Sequence, residues 1–249
     1  MGSPTNRPLA GKAALITGAG SGIGRATALA YAEAGASISI CGRRQVLLEE
    51  TAAAARAHDV PVRVFAIDVA DPASVESWVA DARETFGRID VLLNCAGTNA
   101  PERAWNNTSI ESWDEQIATN LKGVFLTTRA VLPPMRAQKD GLVVNVSSVA
   151  GVQASLVSGV AYSASKFGVV SLTQSLNLEE WQNGIRATVV CPGEVATPIM
   201  EKRPSPPPAH AHQLMIQPED LGATLLFLAT LPPRVVIEEI IVKPTVRKY

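Results

Sequence analysis

The chain has 249 residues, 47% of them apolar and 18% charged, with a formal net charge of -1. That balance gives no electrostatic basis for binding nucleic acid or an anionic membrane, and no apolar run approaches the roughly 18 residues of a membrane span. The polar opening Met1 to Pro8 is expected to be flexible and lacks a signal peptide's apolar centre, and three cysteines fit a reducing, cytoplasmic compartment.

Short apolar runs alternate with longer amphipathic ones along the chain. Ala13 to Thr17 reads as a buried strand, followed by a helix from Ile23 to Ala34 that Gly35 ends. Ser37 to Cys41 is a second strand and Gln45 to Ala57 a second helix. Strands are then predicted at Val62 to Ile67, Asp90 to Asn94, Gly141 to Val146, Arg186 to Val190 and Ile237 to Val242. Helices are predicted at Pro72 to Phe86, Ile110 to Met135, Ala161 to Trp181 and Pro218 to Leu228. Strands apolar throughout and joined by helical crossovers imply an α/β fold with a doubly wound, seven-stranded parallel sheet covered on both faces. No internal boundary interrupts the pattern, so residues 1–249 read as one domain. The proline-rich patch Arg203 to Pro208 reads as a surface loop. Cys41, Cys95 and Cys191 each close an apolar run and read as small buried hydrophobes.

Two patterns carry chemistry. Gly18, Gly20, Gly22 and Gly24 lie between the first strand and the first helix, where a dinucleotide pyrophosphate meets unblocked N–H groups and a helix N-terminus. The spacing misses the literal G-x-G-x-x-G fingerprint. After the second strand stand Arg43 and Arg44, with no acid before Glu49. A carboxylate there would suit the ribose 2′-OH of NAD, whereas guanidinium groups suit the 2′-phosphate of NADP, so NADP(H) is expected over NAD(H). Farther on, Tyr162 and Lys166 are four residues apart on a predicted helix, so phenol and ammonium share a face. A cation beside the phenol favours the phenolate and draws the tyrosine pKa from about 10 towards neutrality, fitting it for proton transfer.

These residues closely resemble the short-chain dehydrogenases/reductases over roughly Leu9 to Pro244. The glycine turn with Gly18, Ser21, Gly22, Ile23 and Gly24 matches the family's T-G-x-x-x-G-x-G, and Asp68-Val69 matches its adenine-contacting pair. Asn94-Cys95-Ala96-Gly97 is similar to N-N-A-G, and Asn120 falls in the helix motif carrying the family's catalytic asparagine. Val144 to Gly151 resembles the strand ending in the catalytic serine, here Ser148. Tyr162 and Lys166 occupy the active-site motif, and Pro192-Gly193-Glu194-Val195-Ala196-Thr197 looks like the segment beside the nicotinamide.

The resemblance implies a single Rossmann-type domain acting on an alcohol or carbonyl substrate. Ser148 would hold the substrate oxygen, Tyr162 would move its proton, and Lys166 would tune the tyrosine and bind the nicotinamide ribose. Asn120 would hold a water linking the lysine to solvent, while Val195 and Thr197 would fix the carboxamide. Cofactor contacts would come from the glycine turn, Arg43, Arg44, Asp68, Val69, Asn94, Ala96, Gly97, Pro192 and Gly193. It also implies a homotetramer or homodimer, and a substrate lid over residues 198–217.

Departures from the pattern bear on the substrate. Ser148 and Tyr162 are fourteen positions apart, one more than is commonest in the family, which places an extra residue in the Val152 to Val160 loop. Cys95 replaces an asparagine and has no histidine motif to make it a nucleophile. The C-terminal Ile237 to Thr245 lacks the V-D-G-G ending of many relatives and looks more like a branch acting on small hydroxy acids and related alcohols. Candidate pocket walls are Thr98, Asn99, Trp105, Gln153, Leu156 and Met200, with Lys202 or Arg203 a possible cation for a free acid. His210 and His212 have no further ligand at metal spacing, so no metal is expected. Competing readings are a 3-oxoacyl thioester reductase of fatty acid synthesis and a non-catalytic nucleotide sensor, the latter disfavoured by the retained Asn120, Ser148, Tyr162 and Lys166.

Overall fold

A computed structural model describes residues 7–246. The flexibility expected over residues 1–8 lies outside the described residues except at its last two positions. Seven strands, β1 (Ala13–Thr17), β2 (Ser37–Gly42), β3 (Val62–Ala66), β4 (Val91–Asn94), β5 (Gly141–Val146), β6 (Ile185–Pro192) and β7 (Glu239–Val242), form one sheet in the order β3-β2-β1-β4-β5-β6-β7. All six pairings are parallel. The helices are α1 (Gly22–Glu33), α2 (Gln45–Arg56), α3 (Pro72–Phe86), α4 (Ile110–Ile117), α5 (Gly123–Gln138), α6 (Val160–Glu180) and α7 (Pro218–Thr230).

Successive strand side chains point to opposite faces, and β1 shows both. Ala14 and Ile16 join the core under α1, α2 and α7, with Tyr31, Leu48, Ala52 and Leu225. Leu15 joins the core under α3, α5 and α6, with Trp78, Val131, Met135 and Leu176. Trp78, fully buried, satisfies its indole by donating to Ser39 Oγ at 2.8 Å. A fully buried indole N–H without such a partner would be costly.

The sequence pattern differs from the structure in two places. The edge strands β3 and β7 are not apolar throughout: each has one neighbour, and Arg63 of β3 and Glu239 of β7 are exposed. The helix predicted over Ile110 to Met135 is broken by a π-helical turn at Ala118–Lys122. That turn accommodates an extra residue and carries Asn120 inward, where contacts distant in sequence decide its geometry.

Asp90 fastens the amino-terminal ends of β1 and β4. Its carboxylate accepts from the Ala13 N–H at 2.9 Å, Lys12 Nζ at 2.9 Å and Arg88 Nε at 2.7 Å. Burial pushes this carboxyl up, but those hydrogen bonds outweigh burial and hold it below the usual carboxylate range. With the folded pKa depressed, the stabilisation is complete above the unfolded value near 4 and fades as pH falls through the lower folded value. Asp90→Ala strands the Ala13 N–H and should cost about 2 kcal/mol at pH 7. Urea denaturation would show this as a lower midpoint, with a smaller loss of stability on acidification; an unchanged midpoint contradicts the assignment.

Candidate active site

The strand order reverses between β1 and β4, and in open α/β sheets such a reversal opens a crevice beyond the carboxyl ends of the strands. Here a cavity of about 690 Å³ runs along those ends. Thr17, the last residue of β1, accepts at Oγ1 from the Cys95 and Ala96 N–H groups, both at 3.0 Å, and so joins the two strand ends.

The glycine turn is shaped by close approach. Gly18 has φ +68°, and a Cβ there would lie 2.8 Å from Ala96 Cα. Gly22 has φ +54°, and its Cβ would lie 2.9 Å from Thr197 Cγ2. Ser21 at the α1 N-cap makes no side-chain cap hydrogen bond, and the first turn of α1 holds no acid. The positive end of the helix dipole is therefore left uncompensated where Ser21, Gly22 and Ile23 line the cavity. That is the chemistry of an anion cradle. Arg44 donates to Ser21 Oγ at 3.0 Å, while Arg43 faces Glu115 at 3.5 Å; both line the cavity beside Gly42. Asp68 and Val69, just after β3, line the same end.

At the other end stand Ser148, Tyr162 and Lys166. Ser148 caps a short 3-10 turn, its Oγ accepting from the Ala150 N–H at 3.1 Å, so its own proton remains available to a partner. Burial pushes the Tyr162 hydroxyl up, opposed by a hydrogen bond from Ser148 and by the charges of Arg103 and Arg203. The net shift is upward, against the expectation of a lowered tyrosine pKa, because enclosure outweighs those charges. Lys166 is buried, lies over the Tyr162 ring at 5.6 Å, and donates to the Val146 carbonyl at 2.8 Å. Burial lowers its pKa to about 8, opposed by Cys95 and Cys191. Burial likewise pushes the Cys95 thiol up to about 12, which keeps it protonated and unlike a nucleophile.

Gly24, Asn94 and Asn120 do not reach the cavity wall, and each has a structural reason. A Cβ on Gly24 would meet the Gly18 carbonyl at 2.5 Å, so this glycine lets the helix pack on its own turn. Asn94 bonds Asn145 and accepts from Thr127, while Asn145 donates to Thr173, a buried ladder running from β4 through β5 to α6. Asn120 accepts from the Thr98 N–H at 2.8 Å and donates to the Thr98 carbonyl at 2.9 Å and Ser165 Oγ at 3.1 Å. Both carboxamide N–H groups are thus engaged. The remaining expected residues line the cavity: Ala96, Gly97, Pro192, Gly193, Val195 and Thr197.

Of the anticipated substrate walls, Thr98, Asn99, Met200, Lys202 and Arg203 line the cavity, whereas Trp105, Gln153 and Leu156 do not. Trp105 and Leu156 are 87% and 99% exposed on loops that turn them outward. Two 3-10 turns, Pro198–Lys202 and Ala209–Leu214, flank the proline-rich patch Arg203 to Pro208 and pack through Met200, Ala211 and Met215. Sequence reasoning missed Arg103. This buried residue donates to the carbonyls of Ala100, Val157 and Lys202, drawing three loops together. Nothing around Arg103 in the sequence announces this, since its partners are 54 and 99 positions away in two cases.

Comparison with known proteins now decides the lineage. A family model described as short chain dehydrogenase matches residues 12–207. The chain belongs to the short-chain dehydrogenase/reductase family. Within it, levodione reductase of Leifsonia aquatica is 39% identical over 201 residues, 80% of this chain and 74% of that protein. A ketoacyl reductase candidate of the granaticin polyketide synthase of Streptomyces violaceoruber is 42% identical over 191 residues, 76% of this chain and 70% of that protein. The crystal structure of levodione reductase superposes with a TM-score of 0.87 at 32% identity, covering 94% of this chain and 97% of that one. An alcohol dehydrogenase of Thermococcus sibiricus, complexed with 5-hydroxy-NADP, gives 0.85 at 27% identity, covering 96% and 98%. Family membership makes the chain an oxidoreductase of a class that uses NAD(P)(H).

Proposed function

We propose that the chain interconverts an alcohol and a carbonyl compound with NADP(H), using Tyr162 as the general acid/base. The observation that carries this reading is the convergence of Ser148, Tyr162 and Lys166 at one end of a cavity whose other end holds the glycine turn, Arg43 and Arg44. Bound at that turn, the cofactor supplies or accepts the hydride. Gly18 to Ile23 hold its pyrophosphate, Arg43 and Arg44 the 2′-phosphate, Asp68 and Val69 the adenine, and Val195 and Thr197 the carboxamide. Lys166 gives its free N–H groups to the ribose. Ser148 donates to the substrate oxygen and fixes its distance from the Tyr162 hydroxyl. Tyr162, a phenol and so protonated at neutral pH, delivers its proton to the oxygen during reduction and takes one back during oxidation. With both Asn120 N–H groups engaged, the side chain acts mainly by pinning Thr98 and Ser165 around Ser148, Tyr162 and Lys166. Residues 198–217 form the substrate lid, through Met200, Lys202 and Arg203.

Fluorescence titration with NADPH and NADH tests the cofactor assignment. NADPH should bind more tightly, and Arg43→Ala should weaken it by roughly tenfold or more, the worth of a charge-assisted contact to phosphate, with a far smaller effect on NADH. Equal losses for the two would reject the arginine reading. Failure to bind either would reject the enzyme assignment.

The likeness to a ketoacyl reductase keeps a 3-oxoacyl thioester as a second substrate class, to be tested with an acetoacetyl thioester. Exposed Phe125 on α5, with Phe167 and Leu178 on α6, supports assembly as a homodimer or homotetramer, which elution as a monomer of about 26 kDa in gel filtration would exclude. Three free cysteines, Cys41 and Cys191 buried, agree with a cytoplasmic setting, to be checked by cell fractionation. No helix among the described residues is long and apolar enough to cross a membrane.

A further inference from the structure

The lid end of the cavity is cationic. Arg103, Lys202 and Arg203 line it, and Glu194 is the carboxylate lining the same end among the described residues. Arg203 pairs with Glu194 at 2.6 Å. Lys202, an exposed residue, reaches the cavity wall, its Nζ donating to Thr98 Oγ1 at 2.8 Å, a neutral acceptor. Thr98 is held on both main-chain sides by Asn120 and lines the same cavity as Ser148, Tyr162 and Lys166. Arg103 is 6% exposed and gives its three hydrogen bonds to main-chain carbonyls; no carboxylate of the described residues lies within ion-pair distance of it. The fold makes room for it: Gly159 has φ +80°, and a Cβ there would lie 2.4 Å from Arg103 Cβ. A buried guanidinium among neutral acceptors is costly unless a counter-ion arrives.

We propose that the substrate carries a carboxylate close to its reacting carbon, received by Lys202 with Arg103 and Arg203 at the lid end of the cavity. This rests on the oxidoreductase reading above and narrows it to an oxo acid and hydroxy acid pair. The reduction transfers one hydride from the nicotinamide to the carbonyl carbon and one proton through Tyr162 to its oxygen. The carboxylate passes through unchanged. It serves as a handle: a planar anion matches an arginine fork and an ammonium, and its charge offsets the excess of cations.

The test is NADPH consumption with linear 2-, 3- and 4-oxo acids of four to six carbons, each beside its methyl ester. At least one acid should exceed its ester by tenfold or more in kcat/KM. Lys202→Met should collapse that ratio towards one, chiefly through the KM of the acid, and Lys202→Arg should restore much of it. In parallel, the corresponding hydroxy acid should raise the Tm of the NADP+-bound protein and lose that effect in Lys202→Met. Esters turned over as well as acids, or an acid-to-ester ratio untouched by Lys202→Met, would overturn the proposal while leaving the oxidoreductase reading intact. Preference for dihydroxyacetone phosphate over every oxo acid would also overturn it, making the anion a phosphate. No reduction of any carbonyl, simple aldehydes included, would defeat both readings together.

Discussion

Tyr162→Phe is expected to bind NADPH as the parent does and to lose turnover by roughly a thousandfold, the scale of a general acid removed. The change deletes one hydroxyl and keeps the ring over which Lys166 lies at 5.6 Å, so the cofactor end of the cavity is untouched. Single-turnover reduction, with binding measured separately, distinguishes the two effects. Turnover near that of the parent would end the assignment of Tyr162 as proton donor. The environment makes the prediction sharper for reduction than for oxidation. Enclosure keeps the phenol protonated, and the charges of Arg103 and Arg203 stabilise the phenolate left after the proton has gone.

Gly151→Ala is expected to impair both stability and turnover, although Gly151 carries no chemistry. A Cβ at this position would lie 2.5 Å from the Lys166 carbonyl and 2.5 Å from Ser147 Oγ, which itself donates to that carbonyl at 2.9 Å. The neighbour is helix backbone and cannot rotate aside. The turn of α6 bearing Lys166 must therefore move away from the 3-10 turn capped by Ser148. Overpacking of this kind costs about 1 to 3 kcal/mol. The same displacement separates Ser148 from Tyr162 and Lys166, and an error of about 1 Å in a reacting geometry can cost a hundredfold in rate. Thermal unfolding and kcat measured on one preparation would show both losses. A variant with parental Tm and kcat would show that the contact between this turn and α6 yields more easily than its geometry implies.

Much of the fold was legible because it is written locally. Buried parallel strands such as Ala13–Thr17 and Gly141–Val146 are continuous apolar runs, and α3 begins at Pro72 behind an Asp71 that accepts from the Ser74 N–H. The edge strands were legible in position but not in burial, because exposure depends on having one neighbour rather than two. The break at Ala118–Lys122 was not legible at all. Asn120, inside it, bonds to Thr98 and Ser165, 22 and 45 positions away, contacts that no local pattern announces. The site divides in the same way. Tyr162 and Lys166 are linked by helical period and the glycines by their turn, so both could be read from spacing. Asn94 and Asn120 were found by motif, and their ties to Asn145, Thr127, Thr98 and Ser165 are seen only in their hydrogen bonds. Arg103 had no local signal, since its partners lie in three separate loops.

The reversal of strand order has a consequence for how this chain can change. The wall near Gly18, Arg43, Arg44 and Asp68 follows β1, β2 and β3, all within the first 70 or so residues, whereas Thr98, Ser148, Tyr162 and the 198–203 turn come from later segments. The two stretches touch at Thr17 with Cys95 and Ala96, and at Gly22 with Thr197. On the proposed reading, the residues that would meet the cofactor's phosphates and adenine belong to the first block and those that would meet the substrate to the second, which also supplies Lys166, Val195 and Thr197 at the nicotinamide end. Substitutions in one block should combine additively with those in the other wherever they lie apart, so a lineage can exchange its coenzyme without relearning its substrate.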